Sequence, residues 1–117
     1  MREVGVGRDP GLDDLVARIV ARADPVQIWL FGSRARGDHH EDSDYDILIV
    51  VDDSWPAGKA NALEAYKLVE GRRVPVDALM TRESTFKRDK DVVGTMSRMV
   101  WLDGRVLYER APAAALA

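Results

Sequence analysis

Two aspartates, Asp44 and Asp46, flank Tyr45 at the start of a long apolar run in this chain of 117 residues. Because alternate side chains of a β-strand project from the same face, this spacing predicts that both carboxylates lie together while the tyrosine points away. Neighbouring carboxylates repel each other and raise one another's pKa unless a cation lies between them. Mg²⁺ prefers oxygen ligands and often binds through one or two carboxylates together with substrate phosphates. The pair therefore indicates metal-dependent phosphate chemistry.

A third carboxylate, Asp77, lies inside the apolar run 74–80. A charge in such a run is costly unless it is paired or binds a metal ion. A site with two metal ions also needs a carboxylate from a neighbouring strand, since shared ligands place both ions around the reacting phosphate. We therefore expect Asp77 to be the third metal ligand; the alternative is an exposed position on an edge strand.

The dipeptide Gly32-Ser33 directly follows a short apolar run and predicts a phosphate-binding turn. Backbone N–H groups and a hydroxyl can hold phosphate there, and glycine allows the backbone to approach a ligand closely. Arg34 and Arg36 follow the turn. They either neutralise a triphosphate or belong to a solvated loop, and the sequence leaves both roles open. The lysine of a P-loop is missing, and no histidine can be assigned to make Ser33 a hydrolase nucleophile.

The composition sets broad limits on function. With 46% hydrophobic residues the chain is able to form a packed core, and its 17 basic and 20 acidic residues give a net charge of −3, without the basic excess typical of nucleic-acid binding. The absence of cysteine excludes a disulfide framework, a thiol nucleophile and a cysteine zinc site. His39 and His40 are adjacent, share no face, and are given no zinc role. Since no signal peptide or membrane span is recognisable, we expect a soluble cytoplasmic protein.

The periodicity of the apolar residues predicts alternating helices and strands. Predicted helices cover residues 12–23 and 59–70, with a helical turn or short helix in 81–90 and a helical stripe in 92–100. Predicted strands cover 26–31, 44–51, 74–80 and 106–108. The run 44–51 is apolar on both faces, as expected of a central strand, whereas Pro75 indicates an edge or a strand entry. This alternation indicates an α/β or α+β fold in which helices cover a small sheet.

Apolar side chains recur at helical spacing within the predicted helices and form stripes of the kind that face a core. They are Leu12, Leu15, Val16, Ile19, Val20 and Ala23 in the first helix, Leu63, Tyr66 and Val69 in the second, and Val92, Val93, Met96, Met99 and Val100 in the last.

The arrangement of Gly32-Ser33, ten intervening residues, Asp44-x-Asp46 and a third acid at Asp77 resembles the nucleotidyltransferase superfamily that includes DNA polymerase β and kanamycin nucleotidyltransferase. The short chain is similar to the minimal nucleotidyltransferases, in which the catalytic domain stands almost alone, often as the antitoxin beside a HEPN-domain ribonuclease toxin. The resemblance covers about residues 12–108 of what we expect to be a single domain over 1–117, with a flexible lead-in (1–10) and tail (111–117).

The resemblance implies a polymerase β-like fold, with a small mixed sheet flanked by helices. It implies that Asp44, Asp46 and Asp77 hold two Mg²⁺ ions and that Gly32 and Ser33 hold the β- and γ-phosphates of ATP. Asp77 would also help to activate the acceptor hydroxyl.

The same resemblance implies transfer of AMP to a tyrosine of a HEPN toxin. Two alternatives stay open: an antitoxin that inhibits its partner by occlusion without catalysis, and nucleotidyl transfer to a small molecule such as an aminoglycoside. The sequence also leaves open whether the chain forms a homo-oligomer.

Overall fold

The structure is a computed structural model that describes residues 9–111. Most of the predicted lead-in and tail therefore lies outside the described residues. The elements in chain order are α1 (Pro10–Ala23), β1 (Gln27–Phe31), α2 (Ser33–Arg36), β2 (Tyr45–Val51), a 3₁₀ turn (Ala57–Lys59), α3 (Ala62–Leu68), β3 (Val76–Arg82), α4 (Glu83–Asp89), α5 (Met96–Asp103) and β4 (Arg105–Glu109).

The four strands form one mixed sheet in the order β3-β2-β1-β4. β1 pairs antiparallel with both β2 and β4, whereas β2 and β3 are parallel. The crossover between the parallel strands contains the 3₁₀ turn and α3. The predicted small mixed sheet flanked by helices is confirmed, and β3, which directly follows Pro75, is an edge strand.

Each face of the sheet has its own hydrophobic core because the side chains of a strand alternate between faces. The larger core lies beneath α1 and α3, and its central members are Leu12, Leu15, Ile19, Ile28, Ile47, Ile49 and Val69. The smaller core lies beneath α4 and α5 and contains Trp29, Phe31, Leu48, Val50, Phe86, Val100 and Val106. The even-numbered positions of β2, which include Asp46, therefore belong to the face that α4 and α5 cover only in part.

The first helix begins two residues earlier than the periodicity predicts. The Asp9 carboxylate accepts a hydrogen bond from the backbone N–H of Gly11 at 2.7 Å and caps the helix. Pro10 is well suited to the first turn because the backbone N–H that proline lacks would have no hydrogen-bond partner within the helix at this position. The helix ends at Ala23, and Asp24 then adopts a left-handed conformation with φ of 45°.

The predicted stripe of the second helix is wrong. α3 covers only Ala62–Leu68 because Asn61 caps it, accepting from the N–H of Glu64 at 2.9 Å. Its buried positions are Ala65 and the following Val69, which lie four residues apart. Leu63 and Tyr66 lie on the opposite side and are 63% and 59% exposed.

The predicted stripe of the last helix is also only partly buried. α5 starts at Met96, since Gly94 has φ of +89° and interrupts any helix extending back to residue 92. Val100 faces the smaller core, whereas Met96 and Met99 are 43% and 42% exposed. Val92 and Val93 precede the helix and are exposed as well.

The segment 81–90, for which the sequence predicts a helical turn or a short helix, contains α4. Its Phe86 packs against Trp29 with ring centroids 5.6 Å apart.

Among the described residues, no helix is both long enough and apolar enough to span a bilayer.

Candidate active site

Asp46 and Asp77 lie directly opposite each other on the parallel strands β2 and β3. Residues at matching positions of two parallel neighbours project from the same face of the sheet. Asp77 is exposed at the free edge and Asp46 is half-buried. The pairing of these two strands thus brings together two aspartates that are far apart in sequence.

Asp44 completes the acidic group from just outside the sheet. β2 begins at Tyr45, so Asp44 precedes the strand and is exposed, contrary to the predicted strand start. Tyr45 is buried in the larger core, and its backbone N–H donates to the carbonyl of Pro75 at 2.9 Å. The predicted contrast between the aspartates and the inward-facing tyrosine is therefore present, although only Asp46 belongs to the strand.

The electrostatics of the group centre on Asp46. Burial raises the pKa of the Asp46 carboxyl, and the negative charges of Asp77 and Asp44 raise it further. The guanidinium of Arg36 acts in the opposite direction and lowers it. Asp77 and Asp44 are therefore close enough to disfavour the charged form of Asp46, which is partly shielded from water.

Gly32 brings the Gly-Ser turn against this carboxylate. Its φ of 72° and ψ of −157° lie in a region that only glycine adopts readily. A Cβ atom added at this position would collide with the carboxylate of Asp46, whose Cγ would lie 3.2 Å from it. Gly32 is therefore required both by its backbone conformation and by its contact with Asp46.

Ser33 starts the four-residue helix α2 beside the carboxylates. The carbonyl of Gly32 accepts hydrogen bonds from the N–H groups of Ala35 and Arg36, both at 3.1 Å. Gly37 closes the turn in a left-handed conformation with φ of 86° and donates to the Ser33 carbonyl at 2.9 Å. The predicted turn is thus a compact unit in which Ser33 directly follows Gly32, the residue that lies against Asp46.

The two arginines of the turn have different surroundings. Arg36 is exposed, forms an ion pair of 3.2 Å with Asp38, and is near enough to Asp46 to affect its pKa. Arg34 instead donates to the backbone carbonyls of Ser43 and Glu41, and its guanidinium lies 4.4 Å above the ring centre of Tyr45. Sequence spacing gives no signal for this difference, because the contacts of Arg34 depend on how residues 37–43 fold back towards α2.

The candidate metal ligands of this site are all carboxylates. Among residues 9–111, no group of three or more histidine, cysteine, aspartate or glutamate side chains is arranged as a ready-made metal site. The chemistry of the group nevertheless fits a hard divalent cation, since Asp44, Asp46 and Asp77 offer only oxygen ligands, and burial together with the charges of Asp77 and Asp44 raises the pKa of Asp46. His39 and His40 lie exposed in the segment before Asp44.

Comparisons with known proteins agree on one family. Residues 13–108 match the family model of the nucleotidyltransferase domain. A candidate protein adenylyltransferase of Methanocaldococcus jannaschii is 39% identical over 84 residues, which cover 70% of this chain and 77% of that protein.

Two solved structures share the fold. A candidate nucleotidyltransferase from Sulfolobus solfataricus superimposes with a TM-score of 0.57 at 24% identity, covering 91% of this chain and 94% of the other. A chain from a toxin–antitoxin structure with AMP-PNP superimposes with a TM-score of 0.55 at 21% identity, covering 89% of this chain and 78% of the other.

Proposed function

The chain belongs to the nucleotidyltransferase domain family and is a nucleotidyltransferase enzyme, and from this premise we propose that it transfers AMP from ATP to a hydroxyl group on a partner protein. The observation that carries the proposal is that Asp46 lies opposite Asp77 on the parallel strands, within electrostatic reach of Asp44, and that Gly32 lies against its carboxylate. A site of this kind combines cation ligands with backbone that can approach a polyphosphate.

We propose that Asp44, Asp46 and Asp77 would hold two Mg²⁺ ions. When bound, the ions would neutralise the triphosphate and align it for in-line displacement at the α-phosphate. Gly32 and Ser33 would hold the β- and γ-phosphates, and Arg36 would provide the nearby positive charge. The sequence leaves that role open for Arg34, whose guanidinium donates to the backbone carbonyls of Ser43 and Glu41.

The reaction forms one bond and breaks another at the same phosphorus atom. The acceptor hydroxyl oxygen bonds to the α-phosphorus of ATP, and the bond from that phosphorus to the bridging oxygen of pyrophosphate breaks. Asp77, exposed at the edge of the sheet, would take the proton of the hydroxyl group. The edge position supports this role because an acceptor on another protein can reach it without crossing the sheet.

We propose a tyrosine of a HEPN-domain toxin as the acceptor, so that the chain would act as an antitoxin. Two likenesses support a protein acceptor and a toxin partner: the Methanocaldococcus jannaschii relative carries the name of a protein adenylyltransferase, and one structure with the same fold comes from a toxin–antitoxin complex with AMP-PNP.

The test is label transfer. The purified chain is incubated with Mg²⁺, α-labelled ATP and a candidate HEPN-domain toxin, and label on the toxin is measured. We expect label with the wild-type chain and with Asp91→Asn, which removes an exposed aspartate from the turn before α5. We expect none with the Asp44→Asn, Asp46→Asn double variant.

Other outcomes separate the alternatives. Tight toxin binding and neutralisation by both the wild type and the double variant, without label, would establish inhibition by occlusion instead. Label on an aminoglycoside but not on the protein would establish a small-molecule acceptor.

A further inference from the structure

We propose that Arg34 is a positioning residue that fixes the backbone of Asp44, rather than a ligand of the nucleotide phosphates. This inference rests on the proposed function, since it concerns one of the three carboxylates assigned to the metal ions. It assigns to Arg34 a role that sequence spacing could not separate from that of Arg36.

Asp44 needs such support because strand pairing does not include it. The register of β2 with β3 begins at Tyr45 opposite Val76, so Asp44 lies between the strand and the connecting segment before it. That segment, residues 37–43, leaves the end of α2 and is exposed along most of its length. Without another attachment, the backbone at Asp44 would be fixed on one side only.

Arg34 supplies the attachment on the other side. Its Nε and Nη2 donate to the carbonyl of Ser43 at 3.1 and 2.9 Å, and Nη2 also donates to the carbonyl of Glu41 at 3.0 Å. Its guanidinium also lies 4.4 Å above the ring centre of Tyr45. Arg34 thus contacts the residues immediately before and after Asp44.

The segment that Arg34 holds is itself ordered by local hydrogen bonds. The N–H of Ser43 donates to the carbonyl of His40 at 3.0 Å, and the N–H of His40 donates to the Ser43 hydroxyl at 2.8 Å. The helix that carries Arg34 is anchored too, because Ala35 is buried and its carbonyl accepts from Arg105 Nε at 3.1 Å. A fixed helix therefore holds a preformed turn.

The chemistry of arginine suits this role. A planar guanidinium can donate several hydrogen bonds in fixed directions while stacking on an aromatic ring, whereas a lysine ammonium can do neither in the same geometry. The three hydrogen bonds occupy the Nε and Nη2 donors of Arg34 with backbone carbonyls. Partners that orient a metal ligand typically change metal affinity by about 10- to 100-fold when they are removed.

The experiment compares Arg34→Lys with Arg82→Lys. Arg82 is a matched control because it also donates to a loop carbonyl, that of Asp53 at 3.1 Å, at the opposite end of the same two strands. Hydrogen–deuterium exchange is measured on segment 37–45 without metal. Mn²⁺ binding is measured separately by electron paramagnetic resonance. A second variant, Ser43→Ala, removes the hydroxyl contact to His40 without altering Arg34.

For Arg34→Lys we expect faster exchange at the amides of Ser43 and Tyr45 and about 10- to 100-fold weaker Mn²⁺ binding. Ser43→Ala should change both in the same direction by less, and Arg82→Lys should change neither. Unchanged exchange in Arg34→Lys would overturn the proposal. If that variant also bound metal-free ATP more weakly, Arg34 would be identified as a phosphate contact instead.

The two proposals fail in different ways. If the wild type binds no Mn²⁺ but Arg34→Lys still accelerates exchange in segment 37–45, Arg34 does position Asp44 and the metal site of the proposed function is wrong. If the wild type binds Mn²⁺ and Arg34→Lys matches it in both measurements, the metal site stands and the role of Arg34 is wrong.

Discussion

Burial and two neighbouring carboxylates make Asp46 costly to ionise in the folded chain. Its pKa is raised, so its contribution favours the folded state at acidic pH and is lost as the pH rises through the raised value. We therefore expect Asp46→Asn to melt at a higher temperature than the wild type at neutral pH in EDTA. The difference should shrink to nothing below about pH 4, where an ordinary aspartate is also protonated.

Asp52, at the other end of β2, is a control because its pKa is shifted in the opposite direction to that of Asp46. Hydrogen bonds from the side chain and backbone of Ser54, together with Arg110, lower the pKa of the Asp52 carboxyl. Its stabilising contribution is present above the ordinary pKa of aspartate and is lost as the pH falls through the lowered value. Asp52→Asn should therefore melt below the wild type at neutral pH. Equal melting temperatures for all three proteins across the pH range would contradict both assignments.

A comparison of Gly32→Ala with Gly37→Ala separates the effect of a steric collision from the effect of backbone strain. Gly32→Ala places a Cβ against Asp46 in a conformation restricted to glycine, whereas Gly37→Ala meets only the strain of a positive φ, since no atom lies within 4 Å of its added Cβ. We expect Gly37→Ala to lower the free energy of unfolding by about 1 kcal/mol, and Gly32→Ala to lower it further.

Activity should separate the two glycine variants more strongly than stability does. Gly32→Ala should reduce label transfer about 100-fold, because it displaces Asp46 or the turn by about 1 Å. Gly37→Ala should keep most of the transfer activity. Urea unfolding and label transfer measure the two effects. Equal losses in the two variants would show that strain alone explains the need for Gly32.

At the scale of elements, the strands were easier to predict than the helices. The run 44–51 predicted a central strand because it is apolar on both faces, and β2 pairs on both sides. The helical stripes at α3 and α5 failed because spacing does not fix which face meets the sheet. Local caps at Asn61 and Thr95 and the left-handed Gly94 decide where each helix starts.

The cap of α5 is therefore worth testing on its own. The Thr95 hydroxyl accepts from the N–H of Arg98 at 3.2 Å and lies 2.6 Å from the carbonyl of Asp89, to which it can donate. Thr95→Ala should lower the free energy of unfolding by about 1 kcal/mol, measured by urea unfolding. Thr95→Ser retains the hydroxyl and should stay close to the wild type; if serine loses as much as alanine, the cap is not the cause.

At the scale of the whole molecule, the sequence predicts which three carboxylates form one candidate site but not which strand pairing brings Asp46 and Asp77 side by side. Asp44 and Asp46 could be paired by spacing, and Asp77 by its unusual place in an apolar run. Their meeting depends on β2 and β3 being parallel, which is a property of the sheet order rather than of either strand. The different contacts of Arg34 and Arg36 depend on the path of segment 37–43, which local patterns do not encode.

The parallel register leads to a prediction that only the assembled sheet can make. Because Asp46 and Asp77 lie opposite each other on β2 and β3, neutralising either one removes the repulsion between them. The stabilising effects of Asp46→Asn and Asp77→Asn in EDTA should therefore not add. The double variant should fall short of the sum by at least about 0.5 kcal/mol, measured by urea unfolding at neutral pH. Asp46→Asn combined with Asp52→Asn, at opposite ends of β2, should be additive. Additivity in the first pair as well would mean that the two carboxylates do not share one site.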